Sequence, residues 1–276
     1  MPFRSLSSAI RSRPGRHVRW RDLELRTHRT DVGAYRIHWA EAGTGEESVA
    51  LLHGLSGSAR WWARNVQALA ARYRVLLPDV VGFGRSRVRR HTFTQVPEIA
   101  DVLSQWLAAA AGGPANLVGH SLGGHLSIHI ATRNPERVKR LALVDATGIP
   151  RPLTPRHVMR FAYDVAPPRQ WGDPTFLPII FGDVLSAGPF TTLRALKSLL
   201  WDDVRPLLSA ISVPTLLIWG EHDAFVPVSS GAAMREAIPN ARLLVLRGAY
   251  HNPMVDHPEA FNAGLLAFLG GEETGE

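Results

Sequence analysis

The stretch Leu-Val-Gly-His-Ser-Leu-Gly-Gly, residues 117–124, sets one serine, Ser121, between Gly119 and Gly123. A serine hydroxyl is a poor nucleophile near neutral pH until a base takes its proton. An imidazole acting as that base needs a carboxylate to fix its tautomer. Both residue types follow later in the chain. Asp223 lies in Gly-Glu-His-Asp-Ala-Phe-Val-Pro (220–227), and His251 in Arg-Gly-Ala-Tyr-His-Asn-Pro (247–253). Each stands three residues past a glycine, Gly220 or Gly248, that closes an apolar run. On its own, Ser121 among glycines equally describes a helix cap beside a turn. Acyl transfer also requires donors for a developing oxyanion. The backbone N–H groups of Leu122 and Leu55 are the candidates, the second following Leu-Leu-His-Gly (51–54), where Gly54 allows close backbone approach. His53 is read as structural, turned inward to bond the loop.

The elements around these residues must bring them together. Alternation predicts half-buried strands at 22–28 and 34–42. Continuous apolar runs at 48–54, 74–79, 115–120, 138–146, 214–220 and 241–248 suit strands buried on both faces. Helical patterns lie between them at 58–73, 98–112 and 122–133, and a last one follows at 258–270. Such alternation predicts an α/β fold: a mostly parallel sheet with helices on both faces, and the first two strands antiparallel at one edge. Ser121 then falls on a strand-to-helix turn at the C-terminal edge of the sheet, where open α/β sheets bind ligands. A Cβ at Gly119 or Gly123 would collide with that turn or the adjacent strand.

Residues 148–212 break this rhythm with many prolines and short helical pieces, and read as a helical insertion between two core strands. The expected domains are a core of 1–147 with 213–276 and an insertion at 148–212. The net charge of +7 is carried almost wholly by arginine, since lysine occurs only at 139 and 197. Acids are interleaved nearly everywhere and no aromatic-basic stripe appears, which speaks against nucleic acid. Residues 1–21 hold six arginines and no acid, and read as a basic extension laid over the surface. No run approaches the ~18 apolar residues of a membrane span. Without cysteine there is no disulfide framework or thiolate metal site, which fits a cytoplasmic protein. His125 and His129, four apart on a helix, have the spacing of a metal pair but no evident third ligand, so neither metal nor cofactor is expected.

With His-Gly-Leu-Ser-Gly (53–57), Asp-Val-Val-Gly-Phe-Gly-Arg-Ser (79–86), Gly-His-Ser-Leu-Gly-Gly (119–124), Gly-Glu-His-Asp-Ala-Phe-Val-Pro (220–227) and the final His251 in this order, the chain resembles the α/β-hydrolase superfamily. The resemblance covers roughly residues 34–147 and 213–270 and implies a Ser121–Asp223–His251 triad in the family's chain order. It makes the insertion a lid, and 79–86 a loop shaping the pocket floor. Asp145, after the strand at 138–146, is the rival acid. Asp256 and His257 are expected to cap the last helix, and Glu221 and His222 to be solvated. The acyl pocket is expected from His120 and from Trp171, Phe176, Ile180, Phe181 and Phe190 of the lid. A serine at the elbow implies an acyl-enzyme, unlike relatives that form alkyl esters on aspartate. The leading expectation is hydrolysis of a small lipophilic carboxylic ester by a monomer or homodimer. Alternatives are a C–C hydrolase of ring-cleavage diketones, whose members typically carry Asn where His120 stands, a lactonase, thioesterase or perhydrolase, and a triad-bearing receptor or scaffold with little turnover.

Overall fold

The computed structural model describes residues 10–20, 23–86, 95–150, 154–156, 159, 162–163, 166 and 172–272. Its strands are β1 (Arg11–Trp20), β2 (Leu23–Val32), β3 (Tyr35–Ala42), β4 (Ser48–Leu52), β5 (Arg74–Pro78), β6 (Ala115–His120), β7 (Val138–Val144), β8 (Thr215–Gly220) and β9 (Ala241–Leu246). They form one sheet in the order β1-β2-β3-β5-β4-β6-β7-β8-β9. Pairing is antiparallel from β1 through β3 to β5 and parallel from there to β9.

The apolar runs become the middle of the sheet because both faces are covered. Every residue of β4, β6 and β8 is buried. Their side chains alternate between two cores, as a period of two requires. Ala50, Leu52, Leu117, Leu141, Leu143, Leu217 and Trp219 pack on one face with Trp106 and Leu126. Val49, Leu51, Val118, Ala142, Val144, Leu216 and Ile218 pack on the other with Leu69, Phe261 and Leu265. The first face is covered by α2 (Val96–Ala111), α3 (Leu122–Arg133) and α7 (Val228–Ala237), the second by α1 (Val66–Ala70), α8 (Pro253–Asp256) and α9 (Pro258–Leu269). Truncating a core residue such as Leu51 to alanine costs about 2–5 kcal/mol.

Two elements differ from expectation. The helix expected over 58–73 divides into a 3-10 turn at Ala59–Trp62 and the short α1. Between them, buried Asn65 uses its side-chain amide to bond the Met254 carbonyl and Asn262 instead of continuing a helix. At the N-terminus, residues 11–20 of the basic extension form strand β1, paired along β2. It has no buried face, so it lacks the alternation by which a strand shows itself in sequence.

Between β7 and β8 lie α4 (Leu177–Ala187) and α5 (Pro189–Trp201), with Gly188 between them. Val204 N–H donates to the Gly148 carbonyl at 2.9 Å. Val204, Leu208 of α6 (Arg205–Leu208) and Ile211 belong to the main core.

Candidate active site

Ser121 occupies the turn from β6 into α3 with φ 52° and ψ −115°. A non-glycine residue held there stores about 1–3 kcal/mol of backbone strain. The turn survives because it is bonded on both sides. Ser121 N–H donates to the Val144 carbonyl (2.9 Å), and its own carbonyl accepts from His125 N–H (3.0 Å). It also needs its glycines. A Cβ at Gly119 would lie 2.3 Å from the Gly123 carbonyl oxygen, and one at Gly123 2.3 Å from that of Leu52.

The three residues singled out by type and position converge. His251 Nδ1–H donates to Asp223 Oδ2 at 2.7 Å. His251 Nε2 faces Ser121 Oγ at 3.2 Å, placed to accept its proton. The other Asp223 oxygen accepts from the backbone N–H groups of Phe225 (2.7 Å) and Val226 (2.9 Å), which fixes the carboxylate before the imidazole arrives. Leu122 opens α3 and Leu55 follows the β4 loop, and neither amide has a hydrogen-bond acceptor among the described residues. Gly54 earns its place there, because a Cβ would meet His120 Nδ1 at 2.9 Å and Trp61 at 3.1 Å.

His53 is structural, as expected: Nδ1–H donates to the Gly54 carbonyl and Nε2 accepts from Val80 N–H, each at 2.8 Å. In the 79–86 loop, Asp79 accepts from the N–H groups of Ala59 and Arg85. That loop borders a cavity of about 290 Å³ with Trp20, Thr27, Arg60 and Asp183, and no triad residue lines it.

Asp145, the rival acid, lies fully buried at the end of β7 with φ 41°. One oxygen accepts from Gly220 N–H at 3.0 Å. The other has no donor. Burial, then the neighbouring Asp223 charge, pushes this carboxyl well above the usual range, which favours its neutral form beside Asp223. Its carboxylate, His120 and His251 bring ligand atoms within 4.8 Å of one another.

The expected pocket residues are corrected in part. His120 is wholly buried behind the triad, and its Nε2–H donates to the His251 carbonyl at 2.7 Å. Burial holds its pKa well below the imidazole range, so it is a neutral prop for the His251 backbone. Phe176 and Ile180 are buried in the core, Phe176 edge-on to Trp61 at 5.5 Å. They anchor the start of α4. Phe181 and Phe190 face solvent, 59% and 83% exposed, because α4 and α5 turn their other sides to the core. Trp171 lies outside the described residues.

Asp256 does not cap the last helix. Its oxygens accept from Tyr250 N–H (2.9 Å) and Asp173 N–H (3.0 Å), tying the residue before His251 to the 3-10 turn at Pro174–Phe176 that leads into α4. Glu221 and His222 are substantially exposed. His125 and His129 do find a third group, Asp202, at 2.9 and 2.5 Å from their Nε2 atoms. These are hydrogen-bond separations, and both buried Nδ1 atoms lack the acceptor that usually orients a metal-bound histidine. The cluster ties the end of α5 to α3.

Sequence reading missed Asp183. This buried carboxylate on α4 accepts from Ser58 Oγ (2.7 Å), Trp61 Nε1 (3.0 Å) and Arg60 (2.5 Å). It also missed Ser56, one residue past Leu55, whose hydroxyl meets Thr192 of α5 at 2.9 Å. The only signal for Asp183 was an acid alone in an apolar stretch.

A mostly parallel sheet with a strained serine after β6, facing an acid that follows β8 and a histidine that follows β9, defines a hydrolase architecture. The model of the alpha/beta hydrolase family matches residues 49–263, and the chain belongs to that family and is an enzyme of hydrolase type. It is 33% identical over 261 residues to a 2-hydroxy-6-oxononadienedioate/2-hydroxy-6-oxononatrienedioate hydrolase of Burkholderia vietnamiensis, covering 85% of this chain and 91% of the relative. Among solved structures it is similar to a bacterial membrane phospholipase A, at 27% identity and TM-score 0.77, covering 90% of this chain and 86% of that one. A thermophilic esterase of Thermogutta terrifontis is 26% identical with TM-score 0.73, covering 88% and 96%.

Proposed function

We propose that the protein hydrolyses a small, uncharged carboxylic ester through an acyl-enzyme on Ser121. The observation that carries this is the continuous relay from Asp223 through His251 to Ser121, at 2.7 and 3.2 Å. His251 takes the Ser121 proton as Oγ attacks the acyl carbon. The Leu122 and Leu55 amides receive the oxyanion, and His251 returns the proton to the leaving alkoxide. Water, deprotonated by the same imidazole, then releases the acid. Helices α4 and α5 act as the lid. The ring neighbours of His251 are His120 and Phe225, each with ring centres 5.0 Å away, and neither brings positive charge, since His120 is held neutral. Such surroundings favour an uncharged acyl group over a carboxylate.

C–C bond hydrolysis is the second reading, favoured by similarity to the dienedioate hydrolase. That relative's named substrate is dianionic, and a cation near Ser121 would be needed to seat it. A panel of short and medium acyl esters beside ring-cleavage diketo-acids separates the two. Ester turnover with an acyl adduct on the 117–124 peptide, trapped by rapid quench and read by mass spectrometry, supports the first reading. Preference for the diketo-acids overturns it.

A further inference from the structure

The cavity of about 290 Å³ beside the 79–86 loop is built by the sheet itself, and no triad residue lines it. Its floor comes from Val18 and Trp20 of β1, Leu25 of β2, Ala40 of β3 and Leu77 of β5. Val18 stands opposite Leu25, and Ala40 opposite Leu77. Thr27, two residues past Leu25, stands opposite Ala40. With a side-chain period of two, these residues share one face of the sheet. Further along the sheet that face is closed by α1, α8 and α9. Here the other wall is made by residues 58–60 and 84–85 and by Asp183 and Ser186 of α4. Val18 and Trp20 are the only residues of β1 that are not exposed, so the strand's two half-buried side chains both turn onto this space. A molecule that fills it takes their apolar surface out of water.

The polar groups of the wall decide what kind of molecule fits. Both acids are already served. Asp79 accepts from Ala59 N–H at one oxygen and from Arg85 N–H at the other, each at 2.8 Å. Asp183 takes Ser58 and Trp61 on one oxygen and Arg60 on the other. Both acids are 4% exposed. The groups left to meet a ligand are donors. The Arg60 side chain is half exposed, and its Nη1 makes no bond among the described residues. The exposed Arg85 side chain makes no ion pair among them, and the His38 ring no hydrogen bond. Burial lowers the His38 pKa, so its ring brings a neutral N–H and no charge. A guanidinium fork matches a carboxylate, which only accepts. Inorganic phosphate would satisfy the arginines but leave the Val18 and Trp20 side unfilled. At about 290 Å³ the cavity stands at the small end of ligand sites, which begin at roughly 300 Å³.

We propose that this cavity is a binding site for a small monocarboxylate with a compact apolar body. The apolar body lies against Val18 and Trp20, and the carboxylate takes its bonds from Arg60 and Arg85. The site is separate from the triad, and its occupancy does not depend on which acyl substrate the enzyme takes.

The test is isothermal titration calorimetry of the full chain with three probes: benzoate, benzamide as its uncharged counterpart of similar shape, and inorganic phosphate. Benzoate is expected to bind with a dissociation constant of about 1 mM or tighter. Benzamide should bind at least about tenfold more weakly, because the guanidinium groups lose their anion. Arg85→Gln should weaken benzoate about tenfold and leave benzamide unchanged. Trp20→Ala should weaken both, because the apolar wall is lost. Circular dichroism checks the fold of each variant. Arg85 is exposed, so its variant tests the site whatever Trp20→Ala does to β1. Absence of benzoate binding overturns the proposal. Undiminished binding by Arg85→Gln and Trp20→Ala would place benzoate elsewhere, such as beside Ser121, and overturns it too. Phosphate binding as tightly as benzoate would make this a general anion site and overturn the carboxylate assignment.

Discussion

At the scale of single residues, the triad makes the sharpest demands. Ser121→Ala should lower kcat by at least about a thousandfold on a chromogenic ester while circular dichroism is unchanged, because a side chain that touches reacting atoms is lost. Retention of a tenth of the activity would remove Ser121 from the mechanism. Asp223→Asn leaves the geometry nearly intact but offers His251 an amide in place of a charge, and should cost about 10⁴ in kcat. Asp145→Asn should cost far less, because burial favours the neutral form of Asp145 and an amide reproduces its shape. The two variants, assayed side by side, decide which carboxyl works. Asp145→Asn has a second consequence. A carboxyl whose folded pKa lies above its unfolded value withdraws stability as pH rises past the unfolded value of about 4. The variant lacks that loss, so its Tm relative to the parent should become more favourable from pH 4 to pH 7. A Tm difference that stays constant with pH would show Asp145 ionised.

At the scale of elements, the pair α4 and α5 is held by a few polar contacts. Asp183 alone gathers three donors from the 3-10 segment and its cap, and bonds of this kind to a charged group contribute about 1.5–3 kcal/mol each, with Arg60 at the lower end because it is half exposed. Asp183→Asn should therefore loosen α4 without unfolding the sheet. The expected signature is faster limited proteolysis within 174–203 at nearly unchanged Tm. At the other end, burial pushes the Asp202 carboxyl upward, but the bonds from His125 and His129 outweigh it and hold it below the usual range. A carboxylate depressed on folding stabilises above its unfolded pKa and loses that contribution as pH falls through the folded value. The carboxylate's own contribution should thus be lost only in strong acid, but burial lowers the pKa of its partner His125, so the α5 anchor should begin to weaken as pH falls below the ordinary imidazole value of about 6.5. Cleavage near 201–203 by a protease active across the range should accelerate over that interval, and a rate that stays constant down to about pH 4 would contradict this.

At the scale of the whole molecule, much was legible before any coordinates. The strands at 48–54, 115–120 and 214–220 fall within two residues of where the apolar runs end, because strands buried on both faces have no polar positions to blur them. Ser121, Asp223 and His251 could be picked out because each follows such a strand, so their chain order already implied one common edge. Strand β1 was hidden, since an edge strand exposed on both sides carries no hydrophobic period and pairs through its backbone. The expected pocket residues divide between core and surface for a related reason. Phe181 and Phe190 are as apolar as Phe176, and composition does not say which side of a helix meets the core.

The sequence by itself determined the class of fold and singled out three candidate reacting residues, because both depend on local pattern and strand order. Only the tertiary structure decided the rest. It set Asp145 beside Asp223 where its neutral form is favoured, turned His120 into a buried prop, brought Asp202 to a histidine pair from 73 positions away, and left Phe181 and Phe190 facing solvent. Each of these depends on what a side chain faces once the chain has folded back on itself. Burial and pairing across long separations are not encoded in the local spacing of residues.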